Sequence, residues 1–368
     1  MHLSTLSLTN FRNYRSLTLG CDERSNLFLG ANGQGKTNLL EAIYYLCVAR
    51  SCREAQDKDL VILEGDYFLI KGIGISATGY DVELEIRYAK RAGKKVLIND
   101  QPQRNLSDLF GSMAAVVMSP DDRQLIQGSP GCRRRFLDIA IAQTSPQYLT
   151  ALQDYKRVVR QRNEALRFHQ NRSRETQDMD LWNMQLIDLG SRIMRKRQEV
   201  VARLHEEARQ LHHIISDESE ELSVSYNASF AYEEDAGLEA AFQASLDRAE
   251  REERSRGVTV VGPHRDDMDL SIDGVTLSTY GSQGQHKTAA TAIKLAEARF
   301  LWQQMETPPL LLLDDIFAEL DATRTARLIE LLPDFGQVFI TAAKESDIGT
   351  YGDRFQQYSV QSGSVSPM

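Results

Sequence analysis

Gly30-Ala31-Asn32-Gly33-Gln34-Gly35-Lys36-Thr37 is the stretch that decides how this chain folds, because it is a complete phosphate-cradling loop in the setting such a loop needs. Asn26-Leu27-Phe28-Leu29 before it reads as a buried strand, and Asn38 to Leu46 after it as an apolar helix. Its glycines let backbone N–H groups turn inward on a β-phosphate, Lys36 bridges β- and γ-phosphates, and the Thr37 hydroxyl can bind Mg²⁺, all at the positive end of a helix. The implied ligand is a nucleoside triphosphate.

Length and composition leave room for this. With 368 residues, 42% apolar and 26% charged, the chain is expected to form two or three ordinary domains with a sizeable core. It has no run of 18 apolar residues, and its first residues alternate (Leu3, Leu6, Leu8) without the apolar block of a signal peptide, so a cytoplasmic protein is expected. Cys21, Cys47, Cys52 and Cys132 lack zinc-site spacing. A net charge of −9 argues against indiscriminate nucleic-acid binding but does not say where the basic residues sit.

Around the loop the signals are strands: His2 to Thr9, Tyr67 to Ile75, Tyr80 to Tyr88 and Lys94 to Ile98, which suggest an antiparallel sheet beside a nucleotide-binding core. Val116 to Met118 reads as a buried strand, and Ser119-Pro120-Asp121-Asp122 as the turn opening a helix. Beyond Gly131 the period becomes helical. Tyr148, Leu152, Tyr155, Val159, Arg162 and Leu166 form one stripe; Trp182 to Ile193 and Val200 to Ile215 continue another, with the polar stretch Asn171 to Asp180 between. Two long helices in an antiparallel arm are expected. Residues 131–215 carry 16 Arg or Lys against 10 Asp or Glu, whereas 217–256 carry 4 against 12. The clusters Arg133-Arg134-Arg135, Arg157/Arg160/Arg162 and Arg192/Arg195/Lys196/Arg197 suit phosphate forks, though a solvated helix face reads the same way. Strands are expected again at Val258 to Val261, Met268 to Ile272 and Val275 to Leu277.

Leu310-Leu311-Leu312-Leu313-Asp314-Asp315 reads as a buried parallel strand ending in two carboxylates, with another apolar strand at Gln337 to Thr341. At such a strand end Asp314 can enter the Mg²⁺ shell and Asp315 can orient water. Tyr280-Gly281-Ser282-Gln283-Gly284-Gln285-His286-Lys287-Thr288 adds a second anion-binding turn before a helix, which two chains facing head to tail would lend to each other's ATP.

In this order the motifs resemble those of ABC-type ATPases: Gly30 to Thr37 as Walker A, Ser282 to Gln285 as signature, Leu310 to Asp315 as Walker B, and Glu319-Leu320-Asp321 as a loop crossing the dimer. Lys36 and Asp314 lie 278 positions apart, a spacing unlike a transporter subunit and similar to the SMC-related repair ATPases. Thr9-Asn10-Phe11-Arg12-Asn13-Tyr14, Gly128-Ser129-Pro130 with Arg133 to Asp138, Lys156 to Leu166, Gly262-Pro263-His264-Arg265-Asp266-Asp267 and Asp314 to Asp321 narrow the resemblance to the RecF family over nearly the full length.

That resemblance implies an α/β fold, an ABC-type P-loop head with a mixed core sheet plus an antiparallel sheet, and an inserted helical lid or arm. The expected divisions are head at 1–120, lid at 121–257 and head again at 258–368. It implies a weak ATPase of recombinational repair and replication that dimerises on ATP with Mg²⁺, binds double-stranded and gapped DNA at double-strand/single-strand junctions, and helps load RecA with RecO and RecR. Lys36, Asp314, Asp315 and Ser282 would carry the chemistry. Gly30, Ala31, Asn32, Gly33, Gln34, Gly35, Lys36, Thr37, Arg12, Gly284 and Gln285 would hold nucleotide, with Thr37 and Asp314 on the metal. Arg133, Arg134, Arg135, Arg195 and Arg197 are the expected DNA contacts. Arg12 also reads as a surface arginine, and His264 and His286 either touch nucleotide or hydrogen-bond within the head. Asp315 in place of a glutamate, Thr341-Ala342-Ala343 in place of a histidine, and no glutamine near Ser119 all point to slow hydrolysis. The alternative is a head of this type acting on a protein partner without DNA.

Overall fold

A computed structural model describes all residues except 77–78, 105–108, 170–176, 217–219 and 233–236. In chain order the strands and helices are β1 (His2–Phe11), β2 (Tyr14–Gly20), β3 (Ser25–Leu29), α1 (Lys36–Val48), β4 (Tyr67–Ile75), β5 (Asp81–Ala89), β6 (Gly93–Ile98), β7 (Gln101–Pro102), β8 (Ala115–Met118), α2 (Arg123–Gln127), α3 (Pro130–Thr144), α4 (Pro146–His169) and α5 (Gln177–Ser216). They continue as β9 (Leu222–Asn227), α6 (Leu238–Arg256), β10 (Asp267–Ile272), β11 (Val275–Thr276), α7 (Leu277–Tyr280), α8 (Gln283–Met305), β12 (Leu310–Asp314), α9 (Ala322–Leu331), β13 (Val338–Ala342), β14 (Gln356–Gln361) and β15 (Ser364–Pro367).

The chain divides into two compact units: residues 1–123, 207–221 and 282–368 form the first, and 124–206 with 222–281 the second. The expected divisions at 120 and 257 are therefore redrawn. Residues 258–281 join the second unit because β10 pairs antiparallel with β9 in a three-stranded sheet, so this unit is not purely helical.

The first unit holds two six-stranded sheets. One is antiparallel, in the order β2-β1-β4-β5-β6-β7; the other is mixed, in the order β15-β14-β3-β13-β12-β8, with only the β14–β15 pair antiparallel. Helix α1 packs against β1, β4 and β5 of the first sheet and β8, β12 and β13 of the second. A helix covered on both sides needs apolar residues all round, hence Leu39 to Val48 without a polar stripe. Leu310 to Leu313 is likewise buried throughout, as a strand covered on both faces must be.

In the second unit α4 and α5 run antiparallel: Tyr148 hydrogen-bonds Arg197, Tyr155 lies against Gly190, and Arg162 donates to Asn183, each step of seven up one helix matching seven down the other. The connecting polar stretch falls largely on 170–176, outside the described residues. Val258 to Val261, expected as a strand, forms none. Its backbone is satisfied by side chains instead, Thr259 N–H donating to Asn163 and Val260 N–H to Glu253. No helix among the described residues is long and apolar enough to cross a membrane.

Candidate nucleotide site

The glycine loop joins β3 to α1 and is braced from both sides. Asn13 Nδ2 donates to the Gln34 carbonyl at 3.0 Å and Tyr14 Oη to that of Gly35 at 3.0 Å; from the β14–β15 turn, Ser362 N–H donates to Gln34 Oε1 at 2.7 Å and Gly363 N–H to the Gln34 carbonyl at 3.1 Å. Gly35 has φ +114°, and a Cβ there would lie 2.4 Å from Asn13 Nδ2, so conformation and space both demand glycine. Gly35 is the N-cap of helix α1 and offers no side-chain hydrogen bond to it. The helix's first N–H groups are left for a ligand, which is what an anion site at a helix end requires.

Lys36 is 7% exposed, and its Nζ donates to the carbonyls of Gly30 at 2.6 Å and Ala31 at 3.1 Å. Burial lowers its pKa, opposed by the nearby charges of Asp315, Asp314 and Asp347. Thr37 Oγ1 donates to Asp314 Oδ1 at 3.0 Å, and Thr341 Oγ1 donates to the same oxygen at 2.8 Å. The parallel register Asp314↔Thr341 between β12 and β13 delivers that pair. Asp315 follows with φ +52°; its N–H donates to Thr341 Oγ1 at 2.9 Å, and its Oδ1 is buried with no hydrogen-bond partner among the described residues. Burial raises both carboxyls above the usual carboxylate range, at Asp314 against the hydrogen bonds from Thr341 and Thr37, at Asp315 against the charge of Lys36. Hard oxygen donors, a lysine and an unpaired carboxylate oxygen thus converge beside an uncapped helix end, a donor set that fits a magnesium-bound triphosphate.

The signature turn is finished differently. Ser282 caps α8, its Oγ accepting from Gln285 N–H at 3.1 Å, while Gln285 Oε1 accepts from Ser282 N–H at 2.7 Å. Gln285 Nε2 donates to Glu220 at 2.9 Å. Gln285 is therefore committed at both ends and positions Ser282, whose hydroxyl proton remains to be donated. Gly284 keeps the turn open to Arg324, whose guanidinium would be 3.0 Å from a Cβ at that position. Lys287 Nζ donates to the Glu319 carbonyl at 2.9 Å, tying the turn's helix to the Glu319-Leu320-Asp321 segment.

Several expected contacts lie elsewhere. Arg12 forks onto buried Glu41 at 2.8 and 3.0 Å and donates to the Asp59 carbonyl, which makes it a brace of α1. Arg133 forks onto Asp267 at 2.7 and 2.8 Å and is buried; Arg197 is buried between Asp138 and the Pro263 carbonyl. Neither guanidinium has a face left for a DNA phosphate. Arg134 donates to the Asp266 carbonyl, and Arg195 to Glu239 at the surface. Arg162 of the second cluster is buried on Glu253. The charge sorting along the second unit is thus partly internal pairing: acidic residues after 217 neutralise arginines of the arm. His264 sits in the same unit, bonded to Tyr155 and Thr259, with burial pushing its pKa down to about 4.

Three residues at the site escaped the sequence reading. Thr341 holds Asp314, and its signal was a hydroxyl at the end of the neighbouring core strand. Arg53, exposed after α1, donates to Asn38 at 3.4 Å and lowers the Asp314 pKa through its charge. Asp347 adds negative charge toward Lys36 and Asp315.

The family model described as RecF/RecN/SMC N terminal domain matches residues 2–365. The chain is similar to a DNA replication and repair protein RecF from Geobacillus thermodenitrificans (strain NG80-2), 39% identical over 372 residues and covering 99% of each chain. Among solved structures it is similar to the recombination mediator protein RecF-ATPrS in the RecFOR pathway, with a TM-score of 0.92, 29% identity and coverage of 100% of this chain and 98% of that one. For RecF-ATP in the same pathway the TM-score is 0.91 at 30% identity, covering 100% and 97%.

Proposed function

The chain belongs to the RecF family of the RecF/RecN/SMC group, and from that premise we propose that it is a slow ATPase whose ATP-bound form dimerises and clamps DNA during recombinational repair and replication. Double-stranded and gapped DNA are its proposed nucleic-acid ligands, RecR its direct partner beside RecO, and RecA the protein whose loading it aids; a cytoplasmic location fits these roles. The observation that carries the ATP reading is the hydrogen bond between Thr37 and Asp314, which joins the loop and the carboxylate strand across 277 residues.

In this reading the triphosphate lies along the α1 N-terminus, where the backbone donors of Gly33 to Thr37 receive the β-phosphate. Lys36 leaves the Gly30 and Ala31 carbonyls for the γ-phosphate. Thr37 and Asp314 would hold Mg²⁺, which when bound neutralises charge on the β- and γ-oxygens. Asp315 Oδ1 accepts a proton from the attacking water and orients it. Ser282 of a second copy donates its hydroxyl to the γ-phosphate, so two chains enclose each nucleotide. Asp315 is one methylene shorter than a glutamate, and Thr341 offers only a hydroxyl where a histidine would shuttle protons; both favour slow turnover.

The second reading, a head acting on a protein partner without DNA, gains from the burial of Arg133, Arg162 and Arg197. The DNA contacts proposed here are accordingly reduced to Arg134, Arg135 and Arg195. Anisotropy with a gapped duplex, at two salt concentrations, with ATP, ADP or no nucleotide, separates the readings. Tight binding only with ATP, lost in Lys36→Ala and falling steeply with salt, supports the clamp. Equal weak binding in every state, while ATP still drives dimers, supports the protein partner.

A further inference from the structure

The signature turn leans on a carboxylate that none of the motifs contains. Glu220 lies between α5 and β9, and its Oε1 accepts from Gln285 Nε2 at 2.9 Å. Its other oxygen, Oε2, is buried and has no hydrogen-bond partner among the described residues. Opposite it, 3.9 Å away, is Nε2 of His212, equally buried and without a close hydrogen bond, on a residue with no exposed surface whose imidazole is faced by both the backbone and the carboxylate of Glu220. The other ring nitrogen of His212 is 3.4 Å from Ser216 Oγ. Two buried polar atoms facing each other just beyond bonding distance are costly for a fold to keep, and a shift of about 1 Å would join them.

From this we infer that Glu220 is a positioning residue for the signature turn, holding the Gln285 amide so that Ser282 presents its hydroxyl to the phosphate of a second copy, with His212 as a buried stop behind it. The inference rests on the clamp reading for its consequence, but its geometry stands in one chain. The capping box is reciprocal: if the Gln285 side chain swings away, Ser282 N–H loses its acceptor and the serine loses its fixed rotamer. Of the atoms of Gln285, Nε2 is the one the box does not use, and Glu220 takes it. Arg324 beside Gly284 closes the turn's other side. The turn is thereby held from two directions, and the loop at Gly30 to Thr37 is untouched.

The test uses the full chain with Glu220→Ala and with Glu220→Gln, which keeps an acceptor oxygen for Gln285. Expected for Glu220→Ala is ATP-driven dimerisation weakened about 10-fold by sedimentation, with ATP affinity of the single chain, measured by a fluorescent analogue, within about 2-fold of wild type. Glu220→Gln should restore most of the loss. Hydrogen exchange of the peptide spanning 282–288 reads the turn directly: faster exchange in Glu220→Ala and recovery in Glu220→Gln support the inference. Unchanged exchange overturns it, as does equal impairment of both variants with a lowered melting temperature, which would mean that Glu220 serves folding alone. A wild type that forms no ATP-driven dimer would sink the clamp reading, while the exchange data would still decide the role of Glu220.

Discussion

Helix α1 and helix α8 both point their N-terminal ends at a phosphate in the proposed mechanism, yet they are built in opposite ways. At α1 the cap is Gly35, with φ +114° and no side-chain bond, so the end groups stay open. At α8 the cap is Ser282, locked to Gln285 in a reciprocal box and braced by Glu220. An uncapped end costs stability until a ligand fills it, and suits deep, tight binding by its own chain. A capped end is stable by itself and has little left to offer but one hydroxyl. That suits a contact made briefly, with a ligand brought by another molecule. The difference separates binding from assembly.

Breaking the open end should have the largest effect. Gly35→Ala forces a side chain into a φ that L-residues avoid and onto Asn13, so ATP affinity should fall by about 100-fold, measured by titration of a fluorescent analogue. Retention of wild-type affinity would mean that the loop does not need its uncapped geometry. Next comes Ser282→Arg at the closed end. It should abolish ATP-driven dimers in sedimentation while single-chain ATP binding stays within about 2-fold, since the substitution lies away from α1. Equal loss of both functions would erase the separation.

Acid sharpens the contrast by a smaller step. Burial raises Asp314 and Asp315 above the ordinary carboxylate value, so the folded chain holds these protons more tightly than the unfolded one. Their contribution to stability is present below the unfolded pKa and lost as pH rises through the raised values. In the proposed mechanism Mg²⁺-ATP needs Asp314 ionised, so its affinity should fall on acidification through that same window, by up to about 10-fold per pH unit for each proton displaced, while calorimetry shows the carboxyls' share of nucleotide-free stability growing. An affinity flat with pH across that window would remove Asp314 from the metal site. Last, Gln285→Ala removes one side of the box together with the amide that Glu220 holds, and should cost about 1 kcal/mol in thermal unfolding, with the same loss of about 10-fold in dimerisation as Glu220→Ala. No change in either would show that Ser282 holds its place unaided.

Features with a local signature were legible in the residues. The loop glycines, Lys36, Thr37 and the Leu310 to Asp315 strand each show type and role within a few positions, and the antiparallel arm follows from stripes of period 3.6. What escaped depends on partners far along the chain. Arg133 and Arg197 look like phosphate forks until Asp267 and Asp138 fold onto them, and Arg162 until Glu253 does. Counting charge along the chain cannot register pairing across 91 or 134 residues. Thr341 and Glu220 were missed for the same reason: their work is defined by strand register and by a fold-back contact. Val258 to Val261 shows the converse, an apolar alternation whose backbone donors are taken by side chains before a strand can form.

Strand β3, which carries the glycine loop, lies between β13 and β14 in its sheet. On a ribosome both neighbours emerge late: at roughly 5–20 residues per second, β3 waits on the order of 15 to 60 s before residue 338 is even made. During that time an apolar strand has both edges unsatisfied, a template for stray pairing that chaperones must cover. Nascent chains stalled before β13 would therefore carry the whole glycine motif and still be unable to hold a nucleotide, and they should be prominent clients of holdases and proteases.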